Sequence, residues 1–138
     1  MVPSARASSA AQQTSPPQLT PQTTRVVNRA NAEHYRWGND CCDGWYRQKS
    51  DALTVIEERM PPASHETLHR HAHSRQVFFV LEGEAVIEMD GRRVRLARND
   101  SITVAPGTAH RVRNDSRSDL TLLVISQPNS HNDRQDLE

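Results

Sequence analysis

Val77-Phe-Phe-Val-Leu-Glu-Gly-Glu-Ala-Val-Ile-Glu-Met-Asp-Gly-Arg-Arg-Val-Arg-Leu96 is the stretch that decides the fold. Aromatic and β-branched residues crowd Val77–Leu81, as a pleated, half-buried surface requires, and Gly83 interrupts the run. Ala85–Met89 forms a second apolar run. It ends at Asp90-Gly91, the strongest short hairpin signal, because both residues accept the positive φ of a type I′ turn. Arg92–Leu96 returns from that turn with Val94 and Leu96 at alternate positions, so one face is apolar. These residues predict three strands joined by tight connections.

The same pattern extends in both directions. Leu53–Met60 reads as a strand stopped by Pro61-Pro62. Downstream, Ser101–Ala105, His110–Arg113 and Leu120–Ile125 add three more short β-prone runs. Seven or more short strands at close spacing, with no convincing amphipathic helix, predict an all-β domain. Closure into a barrel or a double-sheet jelly roll hides the edges of such a chain.

A chain of 138 residues accommodates one such domain. Its 17 basic and 17 acidic residues cancel, which argues against a nucleic-acid partner, since binding to a phosphate backbone needs a surplus of positive charge. Arg92, Arg93 and Arg95 read as the solvated face of a strand. The only cysteines, Cys41 and Cys42, are adjacent and would close a strained ring, so no disulfide framework is expected and a reducing compartment fits better. No stretch approaches the roughly 18 apolar residues of a membrane span, and the N-terminus lacks the apolar core of a secretory signal. These features predict a cytoplasmic protein with no membrane partner. Residues 1–24, rich in Ala, Ser, Thr, Pro and Gln, read as a disordered tail with only a weak echo of a transit peptide. Residues 25–43 read as a lead-in segment, 44–127 as the β-barrel and 128–138 as a polar C-terminal tail.

Four of the seven histidines fall between residues 65 and 73. His69, His71 and His73 alternate, so in extended backbone they share one face. Two imidazoles on one face can fill two neighbouring positions of a metal ion at about 2.0–2.1 Å. His110, after the turn Ala105-Pro-Gly-Thr-Ala109, is the obvious third donor. At these residues the chain resembles the cupin superfamily. The first motif reads His69-Arg-His71-Ala-His-Ser-Arg-Gln76-Val-Phe-Phe-Val-Leu-Glu-Gly83. The second runs from Asn99 through Pro106-Gly107 to His110 and Asn114. The resemblance covers about residues 44–127 and implies a single-domain jelly-roll barrel, one divalent metal ion bound by His69, His71, His110 and Gln76, and a homodimer. The pair His71/His73 has the same local spacing but leaves too few residues before Gln76.

Three positions depart from the family pattern: Gln76 replaces the usual glutamate, Asn99 a glycine and Ala105 a proline. Gln76 bears on chemistry, since its amide oxygen is a neutral, weaker ligand than a carboxylate. A three-imidazole site with an optional amide keeps its full charge and leaves positions open for water or substrate. Zinc, iron, nickel, manganese and copper all remain open as the metal. Strand parity turns Phe78 and Val80 inward with Gln76, and Val112 inward with His110. Together with Tyr46 and Met60 these are the expected lining of a pocket for a small organic ligand. Three functions follow: a metal-dependent dioxygenase, isomerase or lyase; a non-catalytic metal- or ligand-binding barrel; and a metal-free structural dimer. Residues 1–43 show no helix-turn-helix pattern that would suggest a gene regulator.

Overall fold

The computed structural model describes residues 25–138. The tail expected over 1–24 lies outside the described residues. Eleven strands are found among those described: β1 (Glu33–Trp37), β2 (Cys42–Lys49), β3 (Thr54–Met60), β4 (His69–His71), β5 (Arg75–Glu82), β6 (Ala85–Met89), β7 (Arg92–Leu96), β8 (Ser101–Val104), β9 (His110–Arg113), β10 (Leu120–Gln127) and β11 (Arg134–Asp136). All neighbours are antiparallel. They form a six-stranded sheet ordered β1-β2-β3-β10-β5-β8 and a five-stranded sheet ordered β11-β4-β9-β6-β7. This is the all-β jelly-roll barrel that the strand pattern predicts. No helix of the described residues is long and apolar enough to cross a membrane.

Two segments do more than expected. The lead-in contributes β1, paired with β2 from Glu33↔Tyr46 to Trp37↔Cys42. The polar C-terminal segment contributes β11, paired with β4 at Arg134↔His71 and Asp136↔His69. Neither has the apolar alternation that marks a strand, because each lies at a sheet edge and owes its pairing to backbone hydrogen bonds.

Alternation sets the interior. On β5, Gln76, Phe78 and Val80 are buried while Val77, Phe79 and Leu81 are only half-buried. On β10, Leu120, Leu122, Val124 and Ser126 turn inward. Met60, Phe78, Val80, Ile87, Val112, Leu120 and Leu122 meet in one core drawn from both sheets. Each large side chain there contributes about 1.5–3 kcal/mol by leaving water. The Asp90-Gly91 hairpin forms as read, with φ of 51° and 76°. Gly83 ends β5 at φ 87°, and a Cβ there would lie 2.5 Å from the Asp119 carbonyl oxygen. That position therefore excludes any side chain.

Asn114 closes the apolar end. Fully buried, it donates from Nδ2 to the Met60 and Ser118 carbonyls, both at 2.8 Å, and accepts from the Ser116 N–H and hydroxyl. Removing the amide strands these groups without water. Asn114→Ala should cost about 3 kcal/mol of unfolding free energy in denaturant titration.

Candidate metal centre

β4 is only three residues long, and its inward residues are both histidines. β9 begins with the third, in direct register with the first (His110↔His69). The three are buried, and their ligand nitrogens all lie within 4.8 Å of one another. The ring centroids of His69 and His110 are 4.4 Å apart. His73 points outward and is exposed, and His65 is likewise exposed, so the register that converges is His69/His71 with His110.

A backbone carbonyl fixes each ring. His69 Nδ1 donates to Thr67 O at 2.7 Å, His110 Nδ1 to Thr108 O at 2.8 Å, and His71 Nδ1 to Asp133 O at 3.2 Å. A neutral imidazole has one N–H, and each ring spends it on its carbonyl, leaving Nε2 as an acceptor turned inward. Burial holds all three imidazoles below the ordinary histidine range, and the rings' mutual repulsion acts in the same direction on His71 and His110. They are therefore neutral, the form that binds metal.

Gln76 stands beside this group. Its Nε2 donates to Ser126 Oγ at 3.0 Å, and its Oε1 lies 3.1 Å from His110 Nε2. That separation is close to the edge of about 3 Å between neighbouring ligand atoms around a divalent ion with bonds near 2.1 Å. The chemistry of the donor set, three imidazoles and an amide oxygen, suits a transition metal better than magnesium or calcium.

The cavity in front of the cluster measures about 490 Å³ and is bounded by His69, His71, Gln76, Tyr46, Glu58 and Arg134, among others. Tyr46 is the one expected pocket residue found on its wall. Phe78, Val80, Val112 and Met60 are not on it. They face inward, as parity requires, but one layer deeper, in the apolar core. Phe78 still packs edge-on against His110 at 5.8 Å between ring centroids. The wall carries polar residues that composition and motif do not single out: Tyr35, Glu58, Glu66, Ser126 and Arg134. Glu58 had one available signal, since it shares parity with Thr54, Ile56 and Met60. Arg134 had none, because nothing in a polar terminus shows that it folds back over the site.

The C-terminal strand is locked by Asp133. Its carboxylate accepts the N–H groups of Ala72, His73 and Ser74 at 2.8–2.9 Å, while its carbonyl receives His71 Nδ1. Burial works to raise this carboxyl, but the three N–H donors outweigh it and hold the group below the usual carboxylate range.

The fold and the buried three-histidine centre define a jelly-roll barrel whose interior carries a group that could hold a metal ion. Residues 56–126 match the Cupin domain family model, and this chain belongs to the cupin superfamily. It is 30% identical over 86 residues to an uncharacterized protein of Methanocaldococcus jannaschii, covering 62% of this chain and 69% of that one. It is 28% identical over 67 residues to an oxalate-binding protein of Thermotoga maritima, covering 49% of this chain and 55% of that relative. Among solved structures it matches one described as a predicted oxalate decarboxylase from Thermotoga maritima. That match has a TM-score of 0.69 and 21% identity, covering 76% of this chain and all of that one.

Asp133→Ala should lower the unfolding free energy by about 2 kcal/mol at neutral pH through the lost hydrogen bonds. The folded carboxyl titrates below its unfolded value, so its contribution is full at neutral pH, begins to fall away near the unfolded value of about 4 and is lost as pH falls through the lower folded value. Denaturant titrations of both proteins at pH 7 and pH 3 measure this. The difference between them should shrink at the lower pH.

Proposed function

We propose that this protein is a metal-dependent cupin in which His69, His71, His110 and Gln76 hold one divalent transition-metal ion, and that the ion and Arg134 together bind a small organic carboxylate. The observation that carries the metal assignment is the hydrogen-bond count at His110. Its N–H is spent on Thr108 O, so Nε2 and Gln76 Oε1 face each other at 3.1 Å as two acceptors. A cation between them turns that opposition into coordination. Ser126 supports the same reading by engaging the amide nitrogen and turning the oxygen toward the imidazoles. When bound, the ion would supply Lewis acidity and positive charge for an anionic ligand.

The class of ligand follows from the wall. Arg134 lies in register with His71 on the neighbouring strand and borders the cavity. A guanidinium beside a divalent ion suits a carboxylate, which takes a planar pair of donors. The oxalate-binding relative is consistent with this class. A cavity of about 490 Å³ admits a molecule of a few carbon atoms with its water. Every group invoked comes from one chain, so the homodimer that the resemblance implies is not needed to complete the site.

Elemental analysis after loading with zinc, manganese or nickel should return one equivalent per chain, and His110→Ala should reduce it below one tenth. Gln76→Glu should tighten metal binding by about tenfold or more, because an anionic oxygen replaces a neutral one. Oxalate should bind the loaded protein alone, and Arg134→Gln should weaken that binding about tenfold in calorimetry. Equal oxalate binding with and without metal would sink the reading.

A further inference from the structure

The wall of the cavity formed by the six-stranded sheet carries groups that the metal centre does not use. Tyr35, Gly44 and Glu58 stand in register across β1, β2 and β3. A Cβ on Gly44 would overlap the Tyr35 ring. The missing side chain is therefore the space through which the phenol crosses β2, and its hydroxyl donates to Glu58 Oε2 at 3.3 Å. The Tyr46 ring packs beside it, 5.4 Å from Tyr35 between centroids. Three strands thus cooperate to aim one carboxyl into the cavity that His69, His71 and Gln76 also border.

No arginine or lysine pairs with that carboxyl among the described residues, although its sequence neighbour Glu57 has two such partners. The titratable and charged groups around Glu58 are Tyr35 on β1, Tyr46 on β2, Glu66 in the connection after β3, the histidines of β4, His131 in the segment before β11, and Arg134 on β11. Burial pushes the Glu58 carboxyl up to about 8, and the negative charge of Glu66 adds to this. The Tyr35 hydroxyl and the charge of Arg134 oppose it. A group so placed can hold a proton at neutral pH and still surrender it, which is the requirement for acid–base work.

We propose that Glu58, aimed by Tyr35 across Gly44, is the proton-exchanging residue of this cavity, and that it moves a proton between positions of a small carboxylate held at the histidine cluster. The inference rests on the carboxylate reading above. In the step it supports, the small carboxylate also carries a carbonyl next to a hydroxyl-bearing carbon, and Glu58 as carboxylate takes the C–H proton from that carbon. The electron pair of the broken C–H bond passes onto the carbonyl oxygen, giving an enediolate. The protonated Glu58 then returns the proton to the former carbonyl carbon while the hydroxyl proton passes to the other oxygen, so that carbonyl and hydroxyl exchange places. Nothing is oxidised and no co-reactant is needed, so the reaction class is isomerisation.

Infrared difference spectra across pH 5–10, with oxalate as the binding probe, test this on the metal-loaded full chain. A protonated carboxyl band should be present at pH 6, titrate with a midpoint of about 8, and be absent from Glu58→Gln. Tyr35→Phe should move the midpoint upward, since the lost hydrogen bond favours the charged form. That shift identifies the band even if Glu58→Gln does not fold. Calorimetry at pH 8 in two buffers of different ionisation heat should show proton uptake as oxalate binds, and the uptake should vanish in Glu58→Gln while oxalate still binds. A band that survives Glu58→Gln, or a proton uptake unchanged by it, would overturn the assignment. If oxalate fails to bind while the band titrates normally, the carboxylate reading falls and the proton on Glu58 stands.

Discussion

Three uncharged imidazoles buried together in a small β-barrel present six ring nitrogens that must be satisfied without bulk water. The backbone answers for three of them through the carbonyls of Thr67, Thr108 and Asp133. Two of these carbonyls lie two residues before their own histidine, so the chain's local geometry suffices. The third belongs to the C-terminal segment, 62 residues away. The orientation of His71 is thus tied to the docking of β11, and β11 in turn depends on Asp133 collecting three N–H groups from the loop after β4. One acidic side chain couples the edge of a sheet to the centre of the barrel.

His69 and His71 border a cavity because polarity changes along the inner face of the six-stranded sheet. β10 buries Leu120, Leu122 and Val124 before Ser126, and β5 buries Val80 and Phe78 before Gln76. Antiparallel register sets the polar residues side by side, Ser126 against Gln76 and against Thr54. One end of the barrel is therefore dry and tightly filled, closed by Asn114, while the other is lined with hydrogen-bonding groups. The dry end supplies the burial that stabilises the fold. The polar end is left open for a ligand, at a cost in core volume that the apolar end offsets.

Much of this was legible in the sequence, for identifiable reasons. Strands with period-two alternation or a strong turn, such as Ala85–Leu96 around Asp90-Gly91, announce themselves because a single face is buried and a slip of one residue would expose it. The three histidines were legible because alternation and the motif spacing agree. The pocket was less so. Parity assigns an inward face but not a depth, and Phe78, Val80, Val112 and Met60 prove to be floor beneath the cavity rather than wall around it. β1 and β11 escaped for another reason. Edge strands are held by main-chain hydrogen bonds, which no side-chain pattern encodes, and so Tyr35 and Arg134 entered the site unannounced.

Glu57 and Glu58 show how much chemistry one pleat can separate. They are adjacent on β3, identical in composition, and buried to a similar degree. Burial works to raise both carboxyls. Glu57 faces outward, where hydrogen bonds from Arg29 and Arg47 outweigh burial and hold it below the ordinary range. Glu58 faces inward, where burial is reinforced by Glu66 and opposed only by a phenol and a more distant guanidinium. The strand's alternation alone sends one glutamate to an ion pair and the other to a proton. A shift of one residue in the β2–β3 register would exchange their surroundings, and it would take Glu58 away from Gly44 and from the Tyr35 hydroxyl that crosses it. The register that closes the barrel is thus the same one that sets the acid of the cavity, which is why fold and site cannot be separated on this sheet.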